Sequence, residues 1–249
     1  MSSKKNYKEI YFPDDIEYNY SIELKKITKV MEKKMLKLIK QKKNDDSVDD
    51  YKDEFMEYMK DYLSNEFCLG IAVDYTTQTV SYAIDQTNRQ VKRIKGISFK
   101  EQAFYNEEVI KEQIKEQVKL IKAAPGKYCR TFDKEIEKLV AKTVEEGLSN
   151  QTLSKAIRLA TGVEERRANL IARDQVGKIF GKATKAQHEG IGLKTFEWVT
   201  VGDNRVRIEH KDRAGEIYEW DNPPDGEIPG IPIGCRCIAS VVKSEVLNL

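Results

Sequence analysis

Residues 194–242 read KTFEWVTVGDNRVRIEHKDRAGEIYEWDNPPDGEIPGIPIGCRCIASVV. In this stretch KTFEWVT alternates apolar and polar residues, as a half-buried strand does, and GDN is a turn signal. GEIYEW and RCIASVV predict a second and a third strand. The intervening segment NPPDGEIPGIPIG holds four of the six prolines in the chain. A helix cannot form there, so we expect an ordered or tethered loop. The stretch therefore predicts a small unit with a short antiparallel sheet.

The sequence before about residue 190 predicts helices. Leu24, Ile27, Met31, Met35 and Leu38 are spaced by three or four residues and so share one helix face. The same spacing predicts further helices, which are residues 55–62, residues 110–121 up to Pro125-Gly126, residues 132–144 up to Gly147, a short helix ending at Gly162, and a long helix over about 164–189. The charged run QKKNDDSVDD at 41–50 predicts a flexible connection.

Residues 69–99 fit two secondary structures. Ala72, Thr76, Val80 and Ile84 fit one face of a helix, whereas the β-branched run TTQTV fits a strand about as well. We favour a helix because the neighbouring segments are helical.

These elements predict an α+β protein, with a mostly α-helical N-terminal body and a small C-terminal α+β unit. We expect a helical N-terminal region over residues 1–127. A C-terminal domain over 128–249 follows, in which long helices lead into a small sheet from about residue 190.

Composition excludes several classes of function. The formal net charge is only +2, so binding to nucleic acid or to anionic lipid would need a local patch. The longest apolar stretch, residues 67–73, is far too short to span a bilayer, and we expect no membrane partner.

The N-terminus lacks an apolar leader, so the four cysteines are expected to be reduced thiols. No P-loop, G-x-S-x-G or HExxH motif is present, and we predict that the protein is not an enzyme.

Several C-terminal motifs occur in a fixed order. They are ARDQVGK at 172–178, the glycines of HEGIG, FEWVTVGDNRVRIEH at 196–210, AGEIYEWDNPP at 214–224 and PIGCRC at 232–237. Together they resemble the Mu F-like minor head, or head-morphogenesis, family of tailed bacteriophages over about residues 130–242. The residues that carry the pattern are Trp198, Asp203, Arg205, Arg207, Gly215, Trp220, Pro223 and Pro224. The chain departs from the family at Arg213-Ala214, where family members often have Leu-Asp.

The resemblance implies a minor capsid protein that acts in procapsid and head assembly near the portal and assists DNA packaging or ejection. Its implied partners are the portal protein and capsid or scaffold proteins. Its implied location is the capsid interior of the virion, and the cytoplasm of the bacterial host during assembly. The alternative is a nuclease- or toxin-like effector delivered with phage DNA, which would need a pocket joining His210 to Arg205 or Arg207.

Three residues are candidates for a metal site. Cys235 and Cys237 are two positions apart and point to the same side of a strand. With His210 they would supply three of the four ligands that Zn²⁺ prefers, and Asp203, Asp212 or water would supply the fourth. We favour the metal-free alternative, a buried histidine beside two small thiols, so the expected cofactor is none, with zinc as the alternative. Either way the three residues should lie close together.

Other polar and aromatic residues allow two interpretations. In the interpretation that we favour, Asp203 caps the turn and pairs with one arginine. In the alternative, Arg205 and Arg207 lie on one face and bind phosphates or carboxylates. Trp198 and Trp220 should anchor the small core.

Two further features concern the helices. His188, near a helix C-terminus, should interact favourably with the helix dipole. The first helix has a basic face, which we expect to be solvated, with double-stranded DNA as the alternative contact; its lysines are Lys25, Lys26, Lys29, Lys33, Lys34 and Lys37.

Overall fold

Segments whose apolar residues are spaced by three and four form helices before residue 190. The structure is a computed structural model that describes residues 10–41, 48–97, 107–140 and 150–249. The predicted mostly helical body is confirmed, and residues 65–95 form a helix rather than a strand. The helices are α1 Asp14–Lys40, α2 Val48–Tyr62, α3 Asn65–Lys95, α4 Glu107–Lys122, α5 Ala124–Val140 and α6 Asn150–Gly190.

Three helix boundaries differ from those expected. The helix end expected at Gly162 was wrong, because α6 is one continuous helix of 41 residues that includes this glycine. One glycine costs only about 1 kcal/mol in a helix, which packing easily offsets. Pro125 ends α4 as predicted but also lies in the first turn of α5, where proline is tolerated. Helix α2 begins at Val48, inside the expected connection, and residues 42–47 and Gly147 lie outside the described residues.

The contacts within the chain define two compact units. Among the described residues, one contains residues 10–18, 74–97, 107–113 and 172–249, and the other contains residues 19–41, 48–73, 114–140 and 150–171. The division between residues 127 and 128 expected from the sequence stays a prediction.

The unit of residues 19–73 and 114–171 is held by an apolar core between helices. The face predicted for α1 is buried, and Met31 and Met35 are among its least exposed side chains. The rings of Phe55 and Tyr128 stack with their centroids 5.7 Å apart. The Tyr128 hydroxyl lies 3.2 Å from the Thr161 hydroxyl, so its polar group is satisfied although it is buried.

The predicted three-stranded antiparallel sheet is confirmed. Its strands are β1 Thr195–Val199, β2 Ile217–Glu219 and β3 Ile238–Ser240, in the order β2-β1-β3. In the central strand, Phe196 pairs with Tyr218 and Trp198 pairs with Ala239. Two short helices complete the unit: α7 Ile208–Asp212 lies between β1 and β2, and α8 Lys243–Asn248 follows β3. Arg205 lies in a turn, and Arg207 follows that turn directly before α7.

The proline-rich loop packs backbone to backbone against α6. A Cβ atom on Gly181 would lie 2.2 Å from the carbonyl oxygen of Pro229, and one on Gly177 would lie 3.0 Å from that of Cys235. Gly230 has φ +89°, and a Cβ there would lie 2.4 Å from the Gly177 oxygen. Only glycine allows this approach, so the loop is fixed against the helix despite its lack of regular secondary structure.

Among the residues that the structure describes, none of the helices combines the length and the apolar character needed to cross a lipid bilayer.

Two glycines of α6 provide a matched test of this packing. We expect Gly181→Ala to lower the free energy of unfolding by about 1–3 kcal/mol, because the new methyl group would overlap the backbone at Pro229. Gly162→Ala should instead raise it by about 0.5–1 kcal/mol, since its Cβ would meet only the Arg166 side chain at 3.8 Å. Urea unfolding measures both variants. Equal effects of the two substitutions would contradict the close approach.

Candidate metal centre

His210, Cys235 and Cys237 lie together, as expected from the sequence. His210 is on α7, and the two cysteines immediately precede β3. The His210 Nδ1 atom is 3.6 Å from the Cys235 sulfur and 3.4 Å from the Cys237 sulfur. Each residue offers one ligand atom within 4.8 Å of the other two. Two separate chain segments thus bring three donor atoms to one point.

The surrounding core is aromatic. The two cysteines belong to an apolar cluster with Phe196, Trp198 and Trp220. The His210 ring lies edge-on to Trp198, with centroids 5.2 Å apart. All three residues of the centre are buried, with exposed fractions of 3–4%. Water therefore has little access to the donor atoms from the side of the sheet.

The two thiols have different acidities. The Cys237 thiol donates to the Cys235 sulfur, and the Cys237 N–H also approaches that sulfur at 3.3 Å. These donors lower the pKa of Cys235, against the opposing effect of burial. The hydrogen bond to Cys235, together with burial, raises the pKa of Cys237. The hydrogen bond between the two sulfurs therefore favours ionisation of Cys235 over ionisation of Cys237.

A buried arginine orients the groups behind His210. The His210 Nε2 atom lies 3.8 Å from a Glu227 carboxylate oxygen. Arg213 donates to the same Glu227 oxygen at 2.9 Å and to Asp225 at 2.5 Å. The Arg213 guanidinium also lies 5.0 Å from the centre of the Trp198 ring. Arg213, where the chain departs from the family pattern, thus fixes Glu227 beside His210.

Asp203 organises the turn after β1. Its carboxylate accepts the Arg205 backbone N–H at 3.0 Å, as the turn-capping interpretation expects, and also accepts the Arg205 side chain. Arg236 donates to it as well. Arg236 and then Arg205 lower the Asp203 pKa to about 2. Arg207 instead donates to the Ile233 carbonyl at 2.7 Å, so the two arginines of the motif have different partners.

A cavity of about 120 Å³ opens beside the centre. His210, Cys235 and Cys237 form part of its wall. Four arginines and one aspartate line it as well, namely Arg173, Arg205, Arg207, Arg236 and Asp203. The cavity is therefore electropositive, which favours an anionic oxygen ligand.

The remaining motif residues shape the same unit. Trp220 packs on Phe196 with ring centroids 4.2 Å apart. Gly215 has φ +88° and its N–H donates to the Trp198 carbonyl at 2.8 Å. Pro223 and Pro224 begin the short turn at Pro224–Gly226. The structure places none of Gly215, Pro223 and Pro224 among the residues that line the cavity.

Sequence reasoning missed the residues of α6 that position the centre. An Asp174 carboxylate oxygen accepts the Gly234 N–H at 3.4 Å and the other pairs with Lys178 at 2.8 Å. Arg173 pairs with Glu17 at 3.0 Å. The available signal was the ARDQ signature followed by glycines four residues apart, Gly177 and Gly181, which is a spacing suited to close packing on one helix face.

Comparison with known proteins supports the resemblance. Residues 134–240 match the family described as Phage Mu protein F like protein. The chain is also 36% identical over 122 residues to a protein of Haemophilus influenzae described as uncharacterized. That match covers 49% of this chain and 26% of the relative, so the chain spans about a quarter of that relative's length. No solved structure matches the chain.

The matched region includes all of α6, the sheet and the whole candidate centre. Residues 134–240 are thus similar to the Mu F-like phage family, and the resemblance drawn from the sequence motifs is confirmed over these residues.

His188 differs from expectation. It is buried, with its ring edge-on to Trp220 at 5.3 Å between centroids. Within the part of the chain that the structure describes, neither ring nitrogen has a hydrogen-bond partner. Burial lowers its pKa to about 3, so it is neutral near pH 7 and the expected charge–dipole interaction was wrong.

The buried His188 predicts a pH dependence of stability. An unfolded histidine binds a proton below about pH 6.5, whereas folded His188 does not until about pH 3. Stability should therefore fall as pH drops from about 6.5 towards 3, by about 2 kcal/mol between about pH 7 and 5. We expect His188→Phe to remove this part of the loss, as measured by urea unfolding at both pH values. The same loss in both proteins would exclude His188 as its source.

Proposed function

We propose that the protein is a phage minor head protein that acts in head morphogenesis. The observation that carries the proposal is the Mu F-like match over residues 134–240. The glycine-packed loop, the sheet and the ordered motifs all fall inside that range. Such a rigid, closed unit suits a structural part of an assembly, and the family match supports a structural role.

The buried centre counts against the nuclease- or toxin-like alternative. The arginine-lined cavity does join His210 to Arg205 and Arg207, but that function also needs a histidine nitrogen that faces a substrate phosphate. Instead His210 is only 4% exposed, and its Nδ1 atom faces the two thiols. Its Nε2 atom lies 3.8 Å from a Glu227 carboxylate oxygen, so each ring nitrogen faces a group of the protein other than an arginine.

We propose that the protein joins the procapsid near the portal and contacts portal and capsid or scaffold proteins through its helices. Exposed apolar side chains support such contacts, among them Leu69, Leu159 and Leu170, which are 48%, 43% and 50% exposed. In this proposal it is made in the host cytoplasm, remains in the capsid interior of the virion, and assists DNA packaging or ejection.

Portal docking is tested by co-elution. We expect the full chain and the portal protein encoded in the same genome to share one peak in size-exclusion chromatography at micromolar concentration. The portal of an unrelated phage is the control and should elute separately. Separate elution of the cognate pair would contradict docking on the portal.

The basic face of α1 is partly neutralised. Lys26 pairs with Glu23, Lys29 pairs with Glu32 and Glu165, and Lys34 pairs with Glu54; these are ion pairs within the same unit. Lys33 and Lys37 are exposed. Because carboxylates offset half of the six lysines, we favour the solvated face over a DNA contact.

The DNA alternative makes a distinct salt prediction. For a solvated face we expect little retention on immobilised double-stranded DNA, and no difference between wild type and a Lys33→Gln, Lys37→Gln variant. DNA binding through this face would instead give retention that collapses between low and moderate salt, because counterions are released. Retention on DNA would also weaken in the Lys33→Gln, Lys37→Gln variant. It would weaken less in Lys26→Gln, because the Lys26 side chain is already paired with Glu23. That second pattern would contradict the solvated face.

A further inference from the structure

We propose that His210, Cys235 and Cys237 bind one Zn²⁺ ion, and that its fourth coordination position faces the arginine-lined cavity and takes water or an anionic oxygen ligand. This site is independent of the proposed role in head assembly. It reverses the metal-free preference drawn from the sequence, because the structure adds three observations that the sequence did not contain.

The first observation is the spacing of the donor atoms. Tetrahedral zinc with Zn–S of about 2.3 Å and Zn–N of about 2.0–2.1 Å places each sulfur about 3.6 Å from the imidazole nitrogen. The two sulfurs lie 3.6 Å and 3.4 Å from His210 Nδ1. All three ligand atoms lie within 4.8 Å of one another. The donors are therefore already arranged around the position that a zinc ion would occupy.

The second observation is the chemistry behind the histidine. A histidine that ligates zinc through one nitrogen usually has a carboxylate or carbonyl near the other, which fixes the ring. Here Nδ1 faces the thiols, and Glu227 lies 3.8 Å from Nε2. Arg213 holds Glu227 at 2.9 Å. The chain thus provides an orienting carboxylate and a cation that fixes it, and a plain packing role for His210 requires neither.

The third observation is the opening on the fourth side. Neither Asp203 nor Asp212 joins the three converging ligand atoms in the described part of the chain. Asp203 is instead paired with Arg205 and Arg236. The three donors line the cavity of about 120 Å³, which is large enough for water molecules. An open fourth position beside arginines favours an anionic oxygen over a neutral ligand.

Metal analysis of the purified full chain tests the site. We expect about one zinc ion per chain after growth with zinc, since thiolate and imidazole donors select this metal. Cys235→Ser, Cys237→Ser and His210→Ala should each lose most of the zinc. Cys129→Ser is the matched control, because Cys129 is also a buried thiol but lies outside the centre and should leave the zinc content unchanged. Wild-type protein that holds no zinc after growth with zinc and purification under reducing conditions would overturn the proposal.

Cobalt substitution tests the open position. Co²⁺ added to metal-free protein should give thiolate charge-transfer bands and the strong visible bands of a tetrahedral site. Inorganic phosphate or acetate should then shift the visible bands, and Arg207→Gln should weaken that response without removing the charge-transfer bands. Visible bands that neither anion changes would show a closed site and overturn the proposed fourth position.

Glu227 provides a test that does not depend on losing a ligand. As a positioning residue, Glu227→Gln should retain stoichiometric zinc at excess metal but weaken affinity by about 10- to 100-fold, measured by competition with a chelating dye. Glu216→Gln changes an exposed carboxylate in the same segment and should leave affinity unchanged. Equal affinities of the two variants would contradict the orienting role of Glu227.

Discussion

The close backbone contact between α6 and the proline-rich loop is the constraint on which the C-terminal unit depends. Gly177 and Gly181 leave no room for a side chain, and the carbonyl groups of Pro229, Gly230 and Cys235 occupy the space. A loop rich in proline cannot form regular hydrogen bonds of its own. Contact with a helix gives it a fixed position, and that position determines where the cysteines lie.

The candidate centre follows from this placement. Asp174 on α6 accepts the Gly234 N–H, one residue before Cys235. Pairing of β3 with β1 then orients Cys237 towards the core, and α7 brings His210 from the other side. Helix, loop and sheet all lie within the residues that match the Mu F-like family. A zinc ion there would join α7 to the start of β3, so that binding of the metal would contribute directly to folding.

Periodic features were predictable from the sequence, and features set by tertiary contact were not. The alternation in KTFEWVT and the spacing in α1 identified β1 and a buried helix face. Gly162 was misread because a glycine signals a helix end only when packing does not offset its cost. The charge state of His188 and the partners of Arg213 depend on burial between distant segments, which spacing does not encode. The proximity of His210 to the cysteines was predicted because few other residues could ligate a metal.

Hydrogen–deuterium exchange of the wild-type chain tests whether contact with α6 fixes the proline-rich loop. Amides in residues 229–237 should exchange nearly as slowly as those of the adjoining part of α6, because the Cys235 N–H donates to Pro232 and the Gly234 N–H donates to Asp174. In Gly181→Ala, protection of the loop should fall while that of the helices in residues 19–73 is retained. Loop amides that exchange in the wild-type chain at the rate of an unstructured chain would show that contact with α6 does not fix the loop.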